Sequence, residues 1–312
     1  MSGYCHRAHQ EVGEQMKLLL SYVQLLPMLS TIAIGYALAL LLLPRLIRTI
    51  EKSGFVVANY QGVMIPNAAG VVFILLYPAV LFLSAYFGLL SSSLDKVFLF
   101  IFLTVFVGVL GFLDDSWGDH GVKGFHGHLG VFFAAGELTT GGIKALFSLL
   151  AAAVFSLMIL KMPPQAIPFA GPAMFLLNWA VNVLVILLVI NAVNLFDLRP
   201  GRAGKVFLLA LIPLYFLSQH PGDFPLVYPL LGMLLAYLPY DLKARVMLGD
   251  TGANLLGAFL GGMFAAIYSL LGKIIVILVC LALNLIAEKY SFSKIIEQNL
   301  ILRLLDRWGR MG

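Results

Sequence analysis

The sequence has few charged residues and almost no cysteine. Only 11% of the 312 residues are charged and two are cysteines, whereas 61% are hydrophobic and the mean hydropathy is +0.97. This composition excludes a water-soluble globule, because such a protein needs far more polar surface. Cys5 and Cys280 lie far apart and form no CxxC pair, so nothing in the sequence indicates a disulfide framework or a thiolate metal site.

Apolar runs long enough to cross about 30 Å of hydrocarbon recur along the chain. They predict an all-α fold, a polytopic membrane bundle of about nine to ten transmembrane helices, with no room for a sizeable soluble domain. We expect residues 1–25 to be an extracytoplasmic segment, with Met16 as an alternative start, 26–287 the transmembrane domain and 288–312 a basic amphipathic segment. The predicted spans are approximately residues 26–44, 69–90, 97–113, 144–160, 172–190, 205–218, 225–240, 253–271 and 273–287.

Lysine and arginine are distributed unevenly across this predicted topology. With the N-terminus outside, fifteen of the twenty lie on the side reached after the odd-numbered spans, and five lie on the other. The positive-inside rule makes the first side cytoplasmic. Because the basic residues flank spans as that rule requires, they do not indicate nucleic-acid binding.

Two adjacent carboxylates end the third predicted span on the cytoplasmic side. Asp114 and Asp115 stand at the C-terminal end of a helix, where each acid costs about 0.3 to 1 kcal/mol against the helix dipole, and they also repel each other. The pair indicates a site completed by Mg²⁺, a cationic group or a proton. A solvated acidic cluster at the membrane edge is the alternative.

A second polar segment ends the fifth predicted span. Asn191, Asn194 and Asp197 are spaced by three residues, which places them on one face of a helix. Three oxygen-bearing side chains on one face suit a hard divalent cation. The alternative is an asparagine at the helix end beside a solvated Asp197.

A basic turn follows at once and opens the sixth predicted span. Arg199, Arg202 and Lys205 stand where free N–H groups of a helix N-terminus could join them in binding a phosphate. Anchoring of the turn at the cytoplasmic face explains the same charges without a ligand.

The segment Gly249-Asp250-Thr251-Gly252 precedes the eighth predicted span. Asp250 or Thr251 could simply cap that helix. However, the predicted topology places Asp250 on the same side of the membrane as the acids of the third and fifth spans, so we expect one shared polar site there.

The ordered set of segments resembles the polyprenyl-phosphate N-acetylhexosamine-1-phosphate transferases, or glycosyltransferase family 4. That family includes phospho-N-acetylmuramoyl-pentapeptide transferase and undecaprenyl-phosphate GlcNAc-1-phosphate transferase. The matching segments are GFLDD, NAVNLFD and GDTG, together with IPNAAG, which spans Ile65 to Gly70.

The resemblance implies transfer of a sugar-1-phosphate from a UDP-sugar to undecaprenyl phosphate with release of UMP, in a bacterial plasma membrane and with a cytoplasmic active site. Mg²⁺ would sit on the diphosphate, and a homodimer is left open. The resemblance implies metal binding by Asn194 and Asp250 and catalysis by Asp114, Asp115 and Asp197. The basic charges add substrate contacts, so the residues expected to bind substrate are Asn191, Arg199, Arg202, Lys205 and Lys123.

The sequence also departs from the pattern of that family. Pro200 replaces the second acidic or amide position of a DGxDG segment, Met247 replaces an aromatic residue, and the late histidine motif is missing, since no histidine follows His220. A non-catalytic relative that binds polyprenyl phosphate or a nucleotide sugar is therefore a second hypothesis. A secondary transporter ranks third, because the acids lie at span ends and not at mid-membrane.

Two further polar regions are interpreted without a catalytic role. His120, His126 and His128 are interpreted as ordinary loop histidines, with contact to phosphate or assistance in proton transfer as the alternative. In the C-terminal tail, apolar residues recur every four positions at Ile296, Leu300, Leu304 and Trp308, so we expect a helix lying flat on an anionic leaflet, with a wall of the cytoplasmic cleft as the alternative.

Overall fold

The computed structural model describes residues 2–118, 139–162, 171–217 and 221–310, and most of these are helical. The α-helices are α1 (Ser2–Lys52), α2 (Val71–Tyr86), α3 (Leu94–Trp117), α4 (Thr140–Ile159), α5 (Pro172–Phe196), α6 (Arg202–Phe216), α7 (Tyr228–Leu242), α8 (Gly249–Ile267), α9 (Leu270–Lys289), α10 (Phe292–Gln298) and α11 (Leu300–Arg307), with a 3₁₀ helix at Pro221–Val227 before α7.

A small β-hairpin joins α1 to α2. Its strands, β1 (Val56–Ala58) and β2 (Met64–Pro66), pair antiparallel with Val57 opposite Ile65. Gly62 occupies the turn with φ +78°, a left-handed conformation that glycine adopts at little cost. The predicted all-α class therefore holds for the bundle, and this hairpin is an addition that the sequence analysis did not anticipate.

The chain is a multi-pass membrane protein. Within the described residues, six helical segments are long and apolar enough to cross a bilayer: Leu25–Lys52, Leu94–Trp117, Thr140–Ile159, Pro172–Phe196, Gly222–Leu242 and Leu270–Lys289. Helices α2, α6 and α8 coincide with the other three predicted spans, but α2 has 16 residues and α6 has 15. The predicted number of nine to ten spans is thus not confirmed by length and hydropathy.

Helix α8 forms the centre of the bundle. Apart from Asp250, every residue from Gly249 to Ile267 is buried, and the most extensive packing partners of α8 are α3 and α5. Gly257 and Gly261 let the backbone of α5 approach closely, since a Cβ at either position would lie within 2.8 Å of an α5 Cα atom. Small residues at a helix contact serve this purpose in membranes, where van der Waals packing drives association.

A buried ion pair fastens the opposite end of the bundle. Lys96 at the start of α3 donates to both carboxylate oxygens of Asp223 in the 3₁₀ helix, at 2.9 and 2.7 Å, and both side chains are buried. Removing one partner of a buried ion pair destabilises a protein by several kcal/mol, because the other charge is left buried and unpaired. The pair therefore holds the connection before α7 in place, about a helix length away from the acids at the other end of α3.

Candidate active site

The N-terminus of α8 is capped by a carboxylate from another helix. Asp115, at the end of α3, accepts hydrogen bonds from the backbone N–H of Asp250 at 3.1 Å and from Thr251 at 2.9 Å, and also from the Thr251 hydroxyl at 2.6 Å. The free N–H groups and positive dipole end of α8 stabilise this negative charge. The capping function that the sequence analysis considered for Asp250 or Thr251 is therefore supplied by Asp115.

Glycines allow the helix ends to meet. A Cβ on Gly111 of α3 would collide with the carbonyl of Asp250, and a Cβ on Gly70 would collide with the backbone of Gly252. The chain before α2 is also tied to α8, because the N–H of Gly70 donates to the carbonyl of Leu248 at 3.1 Å. The IPNAAG segment thus packs its backbone directly against the GDTG segment.

Lys144 bridges two of the predicted acids. Its ammonium group lies 2.5 Å from a carboxylate oxygen of Asp114 and also forms an ion pair with Asp250. The three side chains are between 18 and 27% exposed, so the cluster is mostly buried but not closed off. Sequence analysis counted Lys144 only as a cytoplasmic charge; the available signal was a cation near the start of an apolar helix, where it opposes the dipole.

Asp197 lies close to other acids at the end of α5. Burial raises the pKa of the Asp197 carboxyl well above its ordinary value, and the nearby charges of Asp241, Asp250 and Asp115 raise it further, while a backbone hydrogen bond from Gly249 opposes them. The charges of three other acids therefore act on Asp197. Asp241, buried at the end of α7, was missed by the sequence analysis, although an acid closing an apolar run was a visible signal.

A cleft opens beside Asp197. It is small and partly open to solvent, and is lined by the hairpin residues Asn59, Tyr60 and Ile65, by Asp197 through Pro200, and by Asp241 and Val246 through Leu248. The guanidinium carbon of Arg199 lies 4.6 Å from the centre of the Tyr60 ring, which is a cation–π distance. The cleft therefore contains an aromatic ring, a cation and two carboxylates.

The two predicted asparagines occupy different surroundings. Asn191 donates a hydrogen bond to Asn284 of α9 and is exposed, whereas Asn194 is partly buried at the last turn of α5. Asn194 and Asp197 remain close, since the Asp197 N–H donates to the Asn194 carbonyl at 3.0 Å. The predicted metal and substrate roles of the two asparagines stay predictions.

Most of the predicted phosphate-binding cations have protein partners. Arg202 is buried against Asp306 of α11, Lys205 reaches the last carbonyls of the same helix, and Arg199 lies 3.9 Å from Glu297. Lys123 and the loop histidines lie outside the described residues.

The oxygen-donor set suits a hard cation. No three His, Cys, Asp or Glu side chains within the described ranges are placed to hold a metal ion together. Mg²⁺ commonly keeps several waters and uses only one or two carboxylates, so a three-residue cage is not required. Asp197 and Asp241 line one cleft, where added positive charge would reduce their mutual repulsion, and Asn194 and Asp250 carry the type of oxygen that Mg²⁺ prefers.

More than half of the chain matches a known protein family. Residues 97–270 match the sequence model of glycosyl transferase family 4. A phospho-N-acetylmuramoyl-pentapeptide-transferase of Fervidobacterium nodosum is 28% identical over 244 residues, covering 74% of this chain and 71% of the relative. The Thermotoga maritima protein of that name is 29% identical over 247 residues, covering 74% and 72%.

A shorter match has a polyprenyl phosphate in its name. A decaprenyl-phosphate N-acetylglucosaminephosphotransferase of Mycolicibacterium smegmatis is 28% identical over 169 residues, which cover 49% of this chain and 36% of that protein. The family match spans more than half of the 312 residues and includes α3, α4, α5 and the start of α8, which together hold the acidic site. The chain therefore belongs to glycosyl transferase family 4.

Proposed function

We propose that this protein transfers a sugar-1-phosphate, of the N-acetylhexosamine type, from a UDP-sugar to undecaprenyl phosphate in the synthesis of a cell-envelope glycan. A phosphate oxygen of the lipid attacks the phosphorus attached to the sugar, the bond between the two phosphates of the donor breaks, and UMP leaves. One observation supports this most strongly: in a chain of this family, the end of α3 and the start of α8 bring Asp114 and Asp250 into contact with the same cation, Lys144.

The protein groups in the site have complementary tasks in this proposal. Lys144 offers a positive charge to the incoming phosphate, and Asp114 beside it aligns the attacking oxygen. Asp115 acts by fixing the N-terminus of α8, and thereby the position of Asp250. Mg²⁺ held by Asn194 and Asp250 would neutralise charge on the diphosphate.

The cleft beside Asp197 is the proposed place for the nucleotide end of the donor. Tyr60 and Arg199 line it, and both can stack on or pair with a planar, anionic ligand. Pro200 and Met247 line the same cleft, so the two departures from the family pattern lie in the proposed binding site of the nucleotide. Donor selectivity is therefore expected to differ from that of relatives with the full motif.

Membrane orientation is part of the proposal. Nine spans with the N-terminus outside place the acidic site in the cytoplasm, where nucleotide sugars are made, and agree with the fifteen-to-five distribution of Lys and Arg. Helices α2, α6 and α8 would supply the three spans that length and hydropathy leave unassigned.

The test uses purified protein in lipid nanodiscs with Mg²⁺, undecaprenyl phosphate and a panel of labelled UDP-sugars. We expect a lipid-linked sugar diphosphate and UMP, both dependent on Mg²⁺ and both lost in Asp114→Asn and Asp250→Asn. Asp95→Asn, at the exposed opposite end of α3, is the matched control and should keep full activity.

The second candidate is a non-catalytic binding protein, which Pro200 and Met247 in the cleft favour. Its signature would be saturable binding of a UDP-sugar or of undecaprenyl phosphate with no product from any donor. That result, obtained with folded protein, would overturn the transferase proposal.

A further inference from the structure

The C-terminal segment is fastened to the edge of the site by an ion cluster. The Asp306 carboxylate of α11 accepts hydrogen bonds from Arg202 at 2.9 and 3.1 Å and from Arg310 at 3.1 and 2.7 Å. Burial acts to raise the pKa of Asp306, but hydrogen bonds and positive charge from Arg202 and Arg310 outweigh it and hold the pKa below its usual value. Bidentate arginine–carboxylate pairs of this kind fix position as well as charge.

The same segment is tied to the backbone of the basic turn. Arg310 donates from Nε to the carbonyl of Pro200 at 2.8 Å. Lys205 donates to the carbonyls of Leu305 and Asp306 at 3.1 and 2.8 Å, where free carbonyls end α11. Helix α11 and the turn that opens α6 therefore move as one unit.

The apolar side of α11 points away from the protein. At about 100° per residue, Asp306 lies on the helix face opposite a continuous apolar stripe. That stripe, called here the outer stripe, is 59% exposed at Leu300, 68% at Ile301, 62% at Leu304, 48% at Leu305 and 76% at Trp308. A helix on a water-soluble surface has the reverse arrangement, with its apolar face inward.

The sequence-based expectation for this segment is corrected in one respect. Ile296 does not continue the stripe, because it is buried in α10 and the chain breaks at Asn299, whose side chain accepts from the N–H groups of Ile301 and Leu302. Asn299 thus starts a separate helix.

Helix α11 is attached to the start of α6. Helix α9, a candidate span, ends at Lys289, and Asp306 bonds to Arg202, the first residue of α6. Helix α11 therefore lies beside the start of α6, one of the helices that coincide with a predicted span, with its outer stripe exposed. Arg303 and Arg307 flank the stripe, as basic residues do in helices that lie in the interface.

We propose that α11 is an in-plane interfacial helix whose partner is the anionic leaflet on the side of the acidic site. The outer stripe enters the boundary between headgroups and acyl chains, and Arg303 and Arg307 face lipid phosphates. Through Asp306 and Arg310, the bilayer then holds Arg202 and the turn beside the cleft at a fixed depth. This proposal requires only the membrane bundle and does not rest on transferase activity.

The test measures the depth of Trp308 in nanodiscs that each hold one copy of the protein. Fluorescence of Trp308 is taken as the difference between the wild-type chain and Trp308→Phe, since the chain has three tryptophans. We expect lipids brominated near the headgroup to quench this signal at least twofold more than lipids brominated near the chain end, with little quenching by aqueous iodide. Asp306→Asn, which unfastens the helix, should reduce the lipid quenching.

The charge contribution is tested by varying the anionic lipid content. Arg303→Gln with Arg307→Gln should abolish the increase in quenching that anionic lipid produces. Lys243→Gln with Arg245→Gln, an exposed cationic pair in the turn before α8, is the matched control and should retain it.

Two outcomes would overturn the proposal. Strong quenching by iodide in nanodiscs would place the outer stripe in water. Protection of Trp308 from iodide that appears only when each nanodisc holds two copies would assign the stripe to a second chain. Neither readout involves sugar transfer, so failure here is distinguishable from failure of the proposed function.

Discussion

Replacing the capping carboxylate tests whether Asp115 organises the site. In Asp115→Asn, the amide nitrogen must take the place of one carboxylate oxygen and then faces N–H donors at the start of α8. A hydrogen bond to a charged group contributes about 1.5 to 3 kcal/mol, and an unpaired buried donor costs about 1 to 3 kcal/mol. We expect a total loss of about 2 to 4 kcal/mol, which corresponds to a fall in melting temperature of about 5 to 10 °C.

The assay is a thermal unfolding scan at one fixed rate, because membrane proteins often unfold irreversibly. Thr251→Val gives a graded comparison, since it removes only the 2.6 Å hydroxyl bond and should cost about 1 to 2 kcal/mol. Asp114→Asn is the matched control, because Asp114 is paired with Lys144 at a partly exposed position and should lose less than about 1 kcal/mol. If Asp115→Asn melts like the wild-type chain, or Asp114→Asn falls equally far, the structural role assigned to Asp115 is wrong.

Three other changes have defined outcomes. Gly111→Ala should push the first turn of α8 away from α3, since its Cβ would meet the Asp250 carbonyl, and should destabilise the protein by about 1 to 3 kcal/mol in the same thermal scan; an unchanged melting temperature would contradict the close contact. Lys144→Met leaves the Asp250 carboxylate without its ammonium partner, so Mg²⁺ should raise the melting temperature of this variant more than that of the wild-type chain; equal shifts would argue against a cation site. Because the pKa of Asp306 is lowered in the folded protein, its contribution to the attachment of α11 is fully present above pH about 3.9 and is lost as the pH falls through the folded pKa. Attachment of α11 should therefore be constant from pH 5 to 8 and fail in acid, whereas Asp306→Asn should weaken it at every pH. Limited proteolysis of the C-terminal segment measures this attachment, and a change near pH 6 would show that another group controls it.

Local sequence patterns predicted the helices better than the partners of the polar residues. Hydropathy located apolar helices at every predicted run, because a bilayer-sized apolar segment has to bury its backbone polar groups in a helix whatever its neighbours are. Spacing placed Asn191, Asn194 and Asp197 on one helix. It could not show that Asn191 would instead pair with Asn284, because that contact depends on how α9 packs beside α5.

For the acidic site too, the sequence predicted which residues share one side of the membrane but not which of them are in contact. The positive-inside rule and the motif order indicated that Asp114, Asp115 and Asp250 share one side of the membrane. Which carboxylate caps α8, and which one meets Lys144, depends on angstrom-scale contacts at Gly70 and Gly111 between distant segments. The sequence analysis consequently missed Lys144 and Asp241, whose positions in the chain resemble those of ordinary charges at span ends.

The basic turn is the clearest case in which the tertiary structure, and not the sequence, determines the partners of charged residues. By sequence, Arg202 and Lys205 were equally suited to phosphate binding or to membrane anchoring. In the structure they bind Asp306 and the last carbonyls of α11, which lie about a hundred residues further along the chain.

By itself, the sequence determined the membrane class and the helical fold and predicted that the polar motifs share one side, because these follow from hydropathy and charge that each segment carries alone. Tertiary structure decided which charges neutralise one another and which apolar face of the C-terminal segment is left outside. Those outcomes depend on the distance between groups far apart in sequence, and electrostatic and packing energies fall steeply with that distance.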